Sequence, residues 1–175
     1  MKNNSNLVRR LVLTGVMAGV YTVMTMPLFI FAFGPVQFRI SEILNLLAFI
    51  NPVFAPGIIL GVFLSNFFGS PIPFDWLFGT LSTVLALFFI TRSKSLRVAS
   101  IWPVIFSGVF VGAMLAFLTD FGMPFNLTAD HGIIRFGAFT LSVMIGQFIV
   151  VTVVGVQLFK YLMKNERLVK FLKDF

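Results

Sequence analysis

Residues 11–33 read LVLTGVMAGVYTVMTMPLFIFAF, a run of 23 positions without a charged side chain. About 20 apolar residues are enough for a helix to span the roughly 30 Å hydrocarbon core of a bilayer. Arg9 and Arg10 precede the run, as in a signal peptide. The run is longer than the roughly 7–15 apolar residues of a signal peptide, and no small-residue cleavage site follows it. We therefore predict a retained first transmembrane helix.

The composition extends this interpretation to the whole chain of 175 residues. Hydrophobic residues make up 58% and charged residues 11%, and the mean hydropathy is +1.00. Soluble domains carry about 25% charged residues, so most soluble folds are excluded. The absence of cysteine and the single histidine argue against disulfides, thiolate or histidine metal sites and redox pairs. We predict an all-α, multi-pass protein of the cell membrane that needs no cofactor or metal.

Apolar stretches recur along the chain and are separated by Pro- and Gly-rich turns. They predict a single domain, 1–175, in which six transmembrane helices form a bundle. The predicted helices lie at about residues 11–33, 38–50, 53–68, 75–91, 99–119 and 134–163. An alternative leaves residues 36–68 as a re-entrant pair, with two crossings instead of four before Arg92.

The distribution of charge predicts the orientation, because Lys and Arg collect in cytoplasmic loops. Eleven of the 13 basic residues form three clusters, at residues 2–10, 92–97 and 160–173, with only two acids among or beside them. These regions carry a net charge of +9 and the rest of the chain carries −2, which gives +7 for the whole chain. An even number of crossings between clusters makes both termini cytoplasmic. The charge thus reports orientation, and nucleic acid is not an expected partner.

Two segments outside the helices carry further expectations. In the tail, 160–175, Leu168, Leu172 and Phe175 recur at helical spacing among lysines, which indicates a basic amphipathic helix on the anionic leaflet. A continuation of the last helix explains the same residues equally well. On the outer side, residues 120–135 form the longest polar segment, and we expect them to act as a lid over an outward-facing cavity.

Small residues mark close helix contacts in lipid. Gly57, Gly61, Ser65 and Gly69 form one stripe and Gly108, Gly112 and Ala116 another, and both are interpreted as closing the bundle. A third stripe on the first helix, Gly15, Ala18 and Gly19, is available to dock another subunit.

Polar side chains within apolar segments are the candidate functional residues, because a charge in the membrane costs roughly 2.5–3.5 kcal/mol. Arg39 and Glu42 are three residues apart, so on a helix they form either a structural ion pair or part of a binding site. Asp75 suits either a helix N-cap or a site. Asn66 and Gln147 either join helices or face a cavity.

A set of motifs resembles the QueT family of queuosine-precursor-binding components of energy-coupling factor transporters. The motifs are VQFRISEIL at 36–44, Pro52, Gly57-x3-Gly61, Ser65-Asn66 and DWLFGTLST at 75–83. The Gln-Phe-Arg-Ile-Ser-Glu string is the specific part. The sequence departs from the family pattern at two positions. Gln147 follows Gly146 where the family pattern has a Glu after the glycine, and Ser107 stands where the family pattern has an Asn. Both departures bear on substrate identity.

The resemblance implies a component without enzymatic activity that captures a 7-deazaguanine, such as 7-aminomethyl-7-deazaguanine, from outside. A transmembrane coupling protein and two cytoplasmic ATPases would power uptake, and Gly15, Ala18 and Gly19 would contact the coupling protein. The expected substrate-binding residues are Gln37, Phe38, Arg39, Glu42, Asn66, Asp75, Trp76 and Gln147. Glu42 would accept from the guanine edge, and Phe38 or Trp76 would stack on the ring.

Two other functions remain open on the residues alone. One is a small ion-coupled, homo-oligomeric carrier in which Glu42 titrates, although the nearby Arg39 opposes protonation. The other is a membrane scaffold whose buried polar groups only hold the helices together. The chain has no Gly-x4-Gly-Lys-Ser/Thr loop, so uphill transport would need ion coupling or partner subunits.

Overall fold

The computed structural model describes residues 2–33, 36–72, 74–118 and 132–175, and within these ranges all regular structure is helical. The prediction of an all-α protein is therefore confirmed for the described residues. Most of the predicted lid, including Asn126, Asp130 and His131, lies outside them. The bounds are α1 Lys2–Thr25, a 3₁₀ turn Met26–Leu28, α2 Phe29–Ala32, a 3₁₀ helix Ile40–Leu46, α3 Leu47–Ile50, a 3₁₀ turn Pro52–Phe54, α4 Ala55–Gly69, α5 Asp75–Ile90, α6 Leu96–Leu118, α7 Gly132–Gln147, a π-helical segment Phe148–Gly155, α8 Val156–Leu162 and α9 Glu166–Lys173.

Four segments are long and apolar enough to cross a membrane: Leu7–Leu28, Pro52–Gly69, Leu96–Leu118 and Gly132–Leu162. This agrees with the predicted multi-pass protein. Two shorter apolar segments, Ile40–Ile50 and Asp75–Ile90, lie where the other two crossings are predicted. The count of six and the cytoplasmic termini stay predictions.

The second predicted helix, 38–50, differs from the structure. Arg39 is extended (φ −92°, ψ 96°), and the following seven residues form a 3₁₀ helix before one α-helical turn. At about 2.0 Å rise per 3₁₀ residue and about 1.5 Å per α residue, Ile40–Ile50 spans about 20 Å. This length is well below the roughly 30 Å of a bilayer core.

Glycine stripes determine which helices touch. A methyl group on Gly57 would lie 2.6 Å from Cβ of Met17, and one on Gly61 would lie 2.6 Å from Cβ of Tyr21, so α4 packs directly on α1. On α6, a methyl group on Gly112 would lie 2.6 Å from the Thr140 hydroxyl of α7. Helix α5 lies between α4 and α6. The first two stripes therefore close the bundle, as the sequence predicts.

The N-terminal helix and the C-terminal tail meet at one end of the bundle. The Arg9 guanidinium lies 4.7 Å from the centre of the Phe175 ring, which packs edge-on against Phe54. The Asn51 amide donates to the Leu172 carbonyl at 3.0 Å. Helix α9 is separate from α8 and begins after Asn165, whose side chain caps it. This arrangement agrees with an even number of crossings between the two ends.

Candidate functional site

A buried cluster of charges lies at the other end of α1, where the 3₁₀ helix meets α5. Arg39 Nη1 lies 3.7 Å from Glu42 Oε1, and Arg39 Nη2 lies 3.7 Å from Asp75 Oδ2. The three residues are 3%, 2% and 0% exposed, respectively. The predicted pairing of Arg39 with Glu42 is therefore present, and Asp75 joins it from a distant part of the chain.

Local backbone geometry brings these side chains together. Arg39 is the N-cap residue of the 3₁₀ helix, so Glu42 follows it by one turn of about three residues. Phe74, which precedes α5, has a left-handed conformation (φ 68°), which is uncommon for a bulky side chain. Phe74 is also the N-cap residue of α5, so the prediction that Asp75 is the N-cap is wrong. Asp75 occupies the first helical position, and its carboxylate pairs with Arg39 instead.

Glu42 is held by partners from its own segment and from α1. Its Oε1 accepts from the Tyr21 hydroxyl at 2.8 Å, and its Oε2 accepts from the Asn45 amide. Arg39 adds the ion pair. Charge-assisted hydrogen bonds are among the strongest in proteins, so Tyr21 and Asn45 hold the Glu42 carboxylate beside Arg39. Tyr21 was not predicted as a site residue, although its hydroxyl is a lone phenol within the first apolar run.

Around this anchor, several buried polar atoms have no hydrogen-bond partner. Native proteins leave few buried polar atoms unpaired, because each one costs roughly 1–3 kcal/mol. The unpaired atoms include Nε2 of Gln37, Nε and Nη2 of Arg39, Oδ1 of Asn45, Oδ1 of Asn66, both carboxylate oxygens of Asp75 and, on α7, Oε1 of Gln147. Five of these residues were predicted from the sequence as site residues, and such a concentration is typical of a site that awaits a ligand.

Two glycines allow this arrangement. Gly79 of α5 lies against the Asn66 amide and the Asp75 carboxylate, and a methyl group there would collide with the Asn66 Nδ2 atom. Gly146 of α7 lies against the backbone of Gln37, where a methyl group would be 2.5 Å from the carbonyl oxygen. α7 thus brings Gly146, the residue before Gln147, against the extended segment that carries Gln37.

Two predicted site residues lie elsewhere. Phe38 is half-buried and lines an apolar cavity of about 300 Å³ between the 3₁₀ helix and the π-helical segment. Trp76 is 39% exposed on the outer face of α5, where its ring packs edge-on against Phe63 at 6.2 Å. Neither ring reaches the charges. The ring that does is Phe33, which lies 4.9 Å from the Arg39 guanidinium carbon and was not predicted.

The predicted docking residues on α1 divide between two faces. Gly15 and Gly19 have open space around them, with no atom within 4 Å of an added methyl group. Ala18 is buried, and its carbonyl faces Gly61 of α4. The open surface therefore consists of Gly15, Gly19 and the exposed valines beside them, and Ala18 belongs to the contact with α4.

Several apolar crossings around a buried polar cluster define a multi-pass membrane protein of the transporter class. No group of three or more metal-ligating side chains occurs in the described ranges. The sequence profile of the family described as QueT transporter matches residues 11–164, so the chain belongs to the QueT transporter family. That family comprises transporters, not enzymes.

A relative supports the same assignment. The protein named Queuosine precursor transporter QueT, from Lactococcus lactis subsp. cremoris, is 35% identical over 82 residues. The aligned region covers 44% of this chain and 46% of the relative's length. No solved structure matches the chain.

Proposed function

We propose that this protein is the substrate-capture component of an ATP-driven importer and that it binds a queuosine precursor of the 7-deazaguanine type. The observation that supports this function is the set of unpaired buried polar atoms around Arg39. A purely structural network would pair its own donors and acceptors. The L. lactis relative carries a queuosine precursor in its name, which indicates the same substrate class here.

The chemistry of a 7-deazaguanine suits these atoms. Its guanine edge offers an N–H and an amino group, which amide oxygens such as those of Asn66 and Gln147 accept. Its carbonyl oxygen accepts a hydrogen bond, which Arg39 or Gln37 can donate. Because Glu42 already accepts from Tyr21 and Asn45, it acts in this proposal as the anchor of Arg39 and not as the group that binds the guanine edge.

The position of the cluster supports capture from outside. Tyr21 lies in the last turns of α1, Asn66 near the end of α4 and Asp75 at the start of α5. The basic clusters lie at the opposite ends of these helices, which the positive-inside rule assigns to the cytoplasm. The site then lies toward the outer side, and residues 120–135, the predicted lid, follow α6 in the sequence.

Uptake against a gradient needs energy that the chain cannot supply, because it has no nucleotide-binding loop. We assign that role to a transmembrane coupling protein and two cytoplasmic ATPase subunits. The open surface at Gly15 and Gly19 suits close contact with a helix of the coupling protein, since lipid-embedded helices associate through small residues.

Equilibrium binding of 7-aminomethyl-7-deazaguanine to the purified protein tests the site. Arg39→Met removes the central cation, and we expect affinity to fall at least about 10-fold, as for one charged hydrogen bond. Gln147→Leu tests a second residue without changing charge and is expected to weaken binding by a smaller factor. Arg97→Met, an exposed arginine next to the basic turn, is the control.

Unchanged affinity in both Arg39→Met and Gln147→Leu would contradict the proposed site. The energy source is tested separately by uptake into cells. We expect uptake to stop when the ATPase subunits are deleted. Uptake that persists without them and collapses with an uncoupler would favour the ion-coupled carrier.

A further inference from the structure

We propose that Asp75 makes the site selective for a positively charged ligand, so that a 7-deazaguanine with a protonated amine is preferred over a neutral one. This inference rests on the proposed function and specifies its substrate. The carboxylate of Asp75 is the group that would bind the amine.

The charges of the cluster do not balance. Among the described residues, Arg39 is the single cation within ion-pair distance of the two carboxylates, and it is shared between Glu42 and Asp75 at 3.7 Å each. With both carboxylates ionised, the cluster formed by these three side chains carries a net charge of −1. An uncompensated buried charge is costly, whereas a neutral set of paired charges is tolerated. A ligand that brings one positive charge would restore neutrality.

Glu42 and Asp75 differ in how far the protein already satisfies them. Both oxygens of Glu42 accept hydrogen bonds from the protein. Neither oxygen of Asp75 does, although the side chain is fully buried. Its close partners are Arg39 Nη2, at a distance beyond a normal hydrogen bond, and the Ser70 side chain. The capacity to bind a cation is therefore concentrated at Asp75.

The unpaired atoms of the site also favour a ligand that donates hydrogen bonds. Among the six site residues named above, five unpaired atoms are acceptors, namely Oδ1 of Asn45, Oδ1 of Asn66, both oxygens of Asp75 and Oε1 of Gln147. Three are donors, on Gln37 and Arg39. A guanine edge alone contributes two donor groups, and an ammonium group adds three more N–H donors. A ligand with an aminomethyl group thus matches the surplus of acceptors, whereas a neutral substituent leaves much of it unfilled.

Two ligands with the same ring differ in charge but hardly in shape, so their affinities report the effect of charge on binding. 7-Aminomethyl-7-deazaguanine carries an alkylamine that is protonated at neutral pH, and its 7-hydroxymethyl analogue is nearly isosteric and neutral. We expect the wild-type protein to bind the amine about 10- to 100-fold more tightly, the range for one charge-assisted hydrogen bond. Isothermal titration on the purified full chain measures both affinities.

Variants of Asp75 test whether its carboxylate causes the preference for the amine. In Asp75→Asn the shape is kept and the charge is lost, so the affinity ratio between amine and alcohol should fall to near 1. In Asp75→Glu the charge is kept, and the ratio should remain above 1 even if both affinities drop. Gln147→Leu is the uncharged control, which should weaken both ligands by a similar factor and leave the ratio unchanged.

The outcomes distinguish this inference from the proposed function. Equal affinity of the wild-type protein for the two ligands would overturn the inference and leave the proposed function in place. A preference that Asp75→Asn retains would also overturn it, because another group would then bind the amine. If Asp75→Asn weakens both ligands equally, the carboxylate binds the guanine edge instead. Failure to bind any 7-deazaguanine would overturn both proposals.

Discussion

Replacement of Gly146 by alanine is expected to disturb the contact between α7 and the segment that carries Gln37. The added methyl carbon would lie 2.5 Å from the Gln37 carbonyl oxygen and 2.9 Å from its carbonyl carbon. Non-bonded heavy atoms approach to about 3.5–4.0 Å, so the segment must retreat by about 1 Å. Because the obstructing atoms belong to the backbone, no side-chain rotation relieves the overlap.

The magnitude follows from two opposing effects. Overpacking of this kind destabilises by about 1–3 kcal/mol, and we expect the upper part of that range here. Alanine is favoured over glycine within a helix by about 1 kcal/mol. The net loss is then about 2 kcal/mol, which for a chain of this size lowers Tm by about 4–8 °C.

Gly137→Ala on the same helix is the matched control, because nothing lies within 4 Å of a methyl group there. Only the helix preference applies, so Tm should rise by about 2–4 °C. Thermal unfolding of both variants in one detergent, followed through intrinsic fluorescence, gives the two signs. Ligand affinity should fall in Gly146→Ala and stay constant in Gly137→Ala. Shifts of equal sign in both variants would refute the proposed close contact.

Two further substitutions test the interior in the same unfolding assay. Gly61→Ala places a methyl group 2.6 Å from Cβ of Tyr21 and should destabilise the protein by about 1–3 kcal/mol. Gly19→Ala, on the open face of α1, should be neutral or slightly stabilising. Equal destabilisation by both substitutions would contradict the different packing of the two faces. Tyr21→Phe removes the 2.8 Å hydrogen bond to the buried Glu42 carboxylate and should destabilise the protein by about 1–3 kcal/mol. Tyr161→Phe, at a 73% exposed position, should change Tm little. An unchanged Tm in Tyr21→Phe would show that the buried carboxylate does not depend on this hydrogen bond.

The features that could be predicted from sequence are those encoded locally. Long apolar runs gave the all-helical membrane protein, because span length follows from hydropathy. The spacing of Arg39 and Glu42 gave their pairing, because residues three apart meet on one helical face. Glycines at four-residue intervals on α4 and α6 marked the close helix contacts for a similar reason.

Non-local features could not be predicted in this way. Asp75 reaches Arg39 only because α5 and the 3₁₀ helix are neighbours in the fold, and its spacing from Arg39 along the chain carries no signal. The ring of Trp76 packs against Phe63 of α4, a contact that depends on how α4 and α5 pack and not on local spacing. The 3₁₀ conformation of residues 40–46 was also hidden, since the residues of this segment would equally suit an α-helix.

The burial of Arg39, Glu42 and Asp75 has a kinetic consequence. A ligand reaches these side chains only in molecules that have opened, and the apparent affinity is reduced by the fraction of open molecules. Association should therefore be slower than the 10⁵–10⁷ M⁻¹s⁻¹ typical of protein complexes, and its observed rate should level off at the opening rate as ligand concentration rises. Once enclosed, a ligand would leave at a rate limited by the same opening.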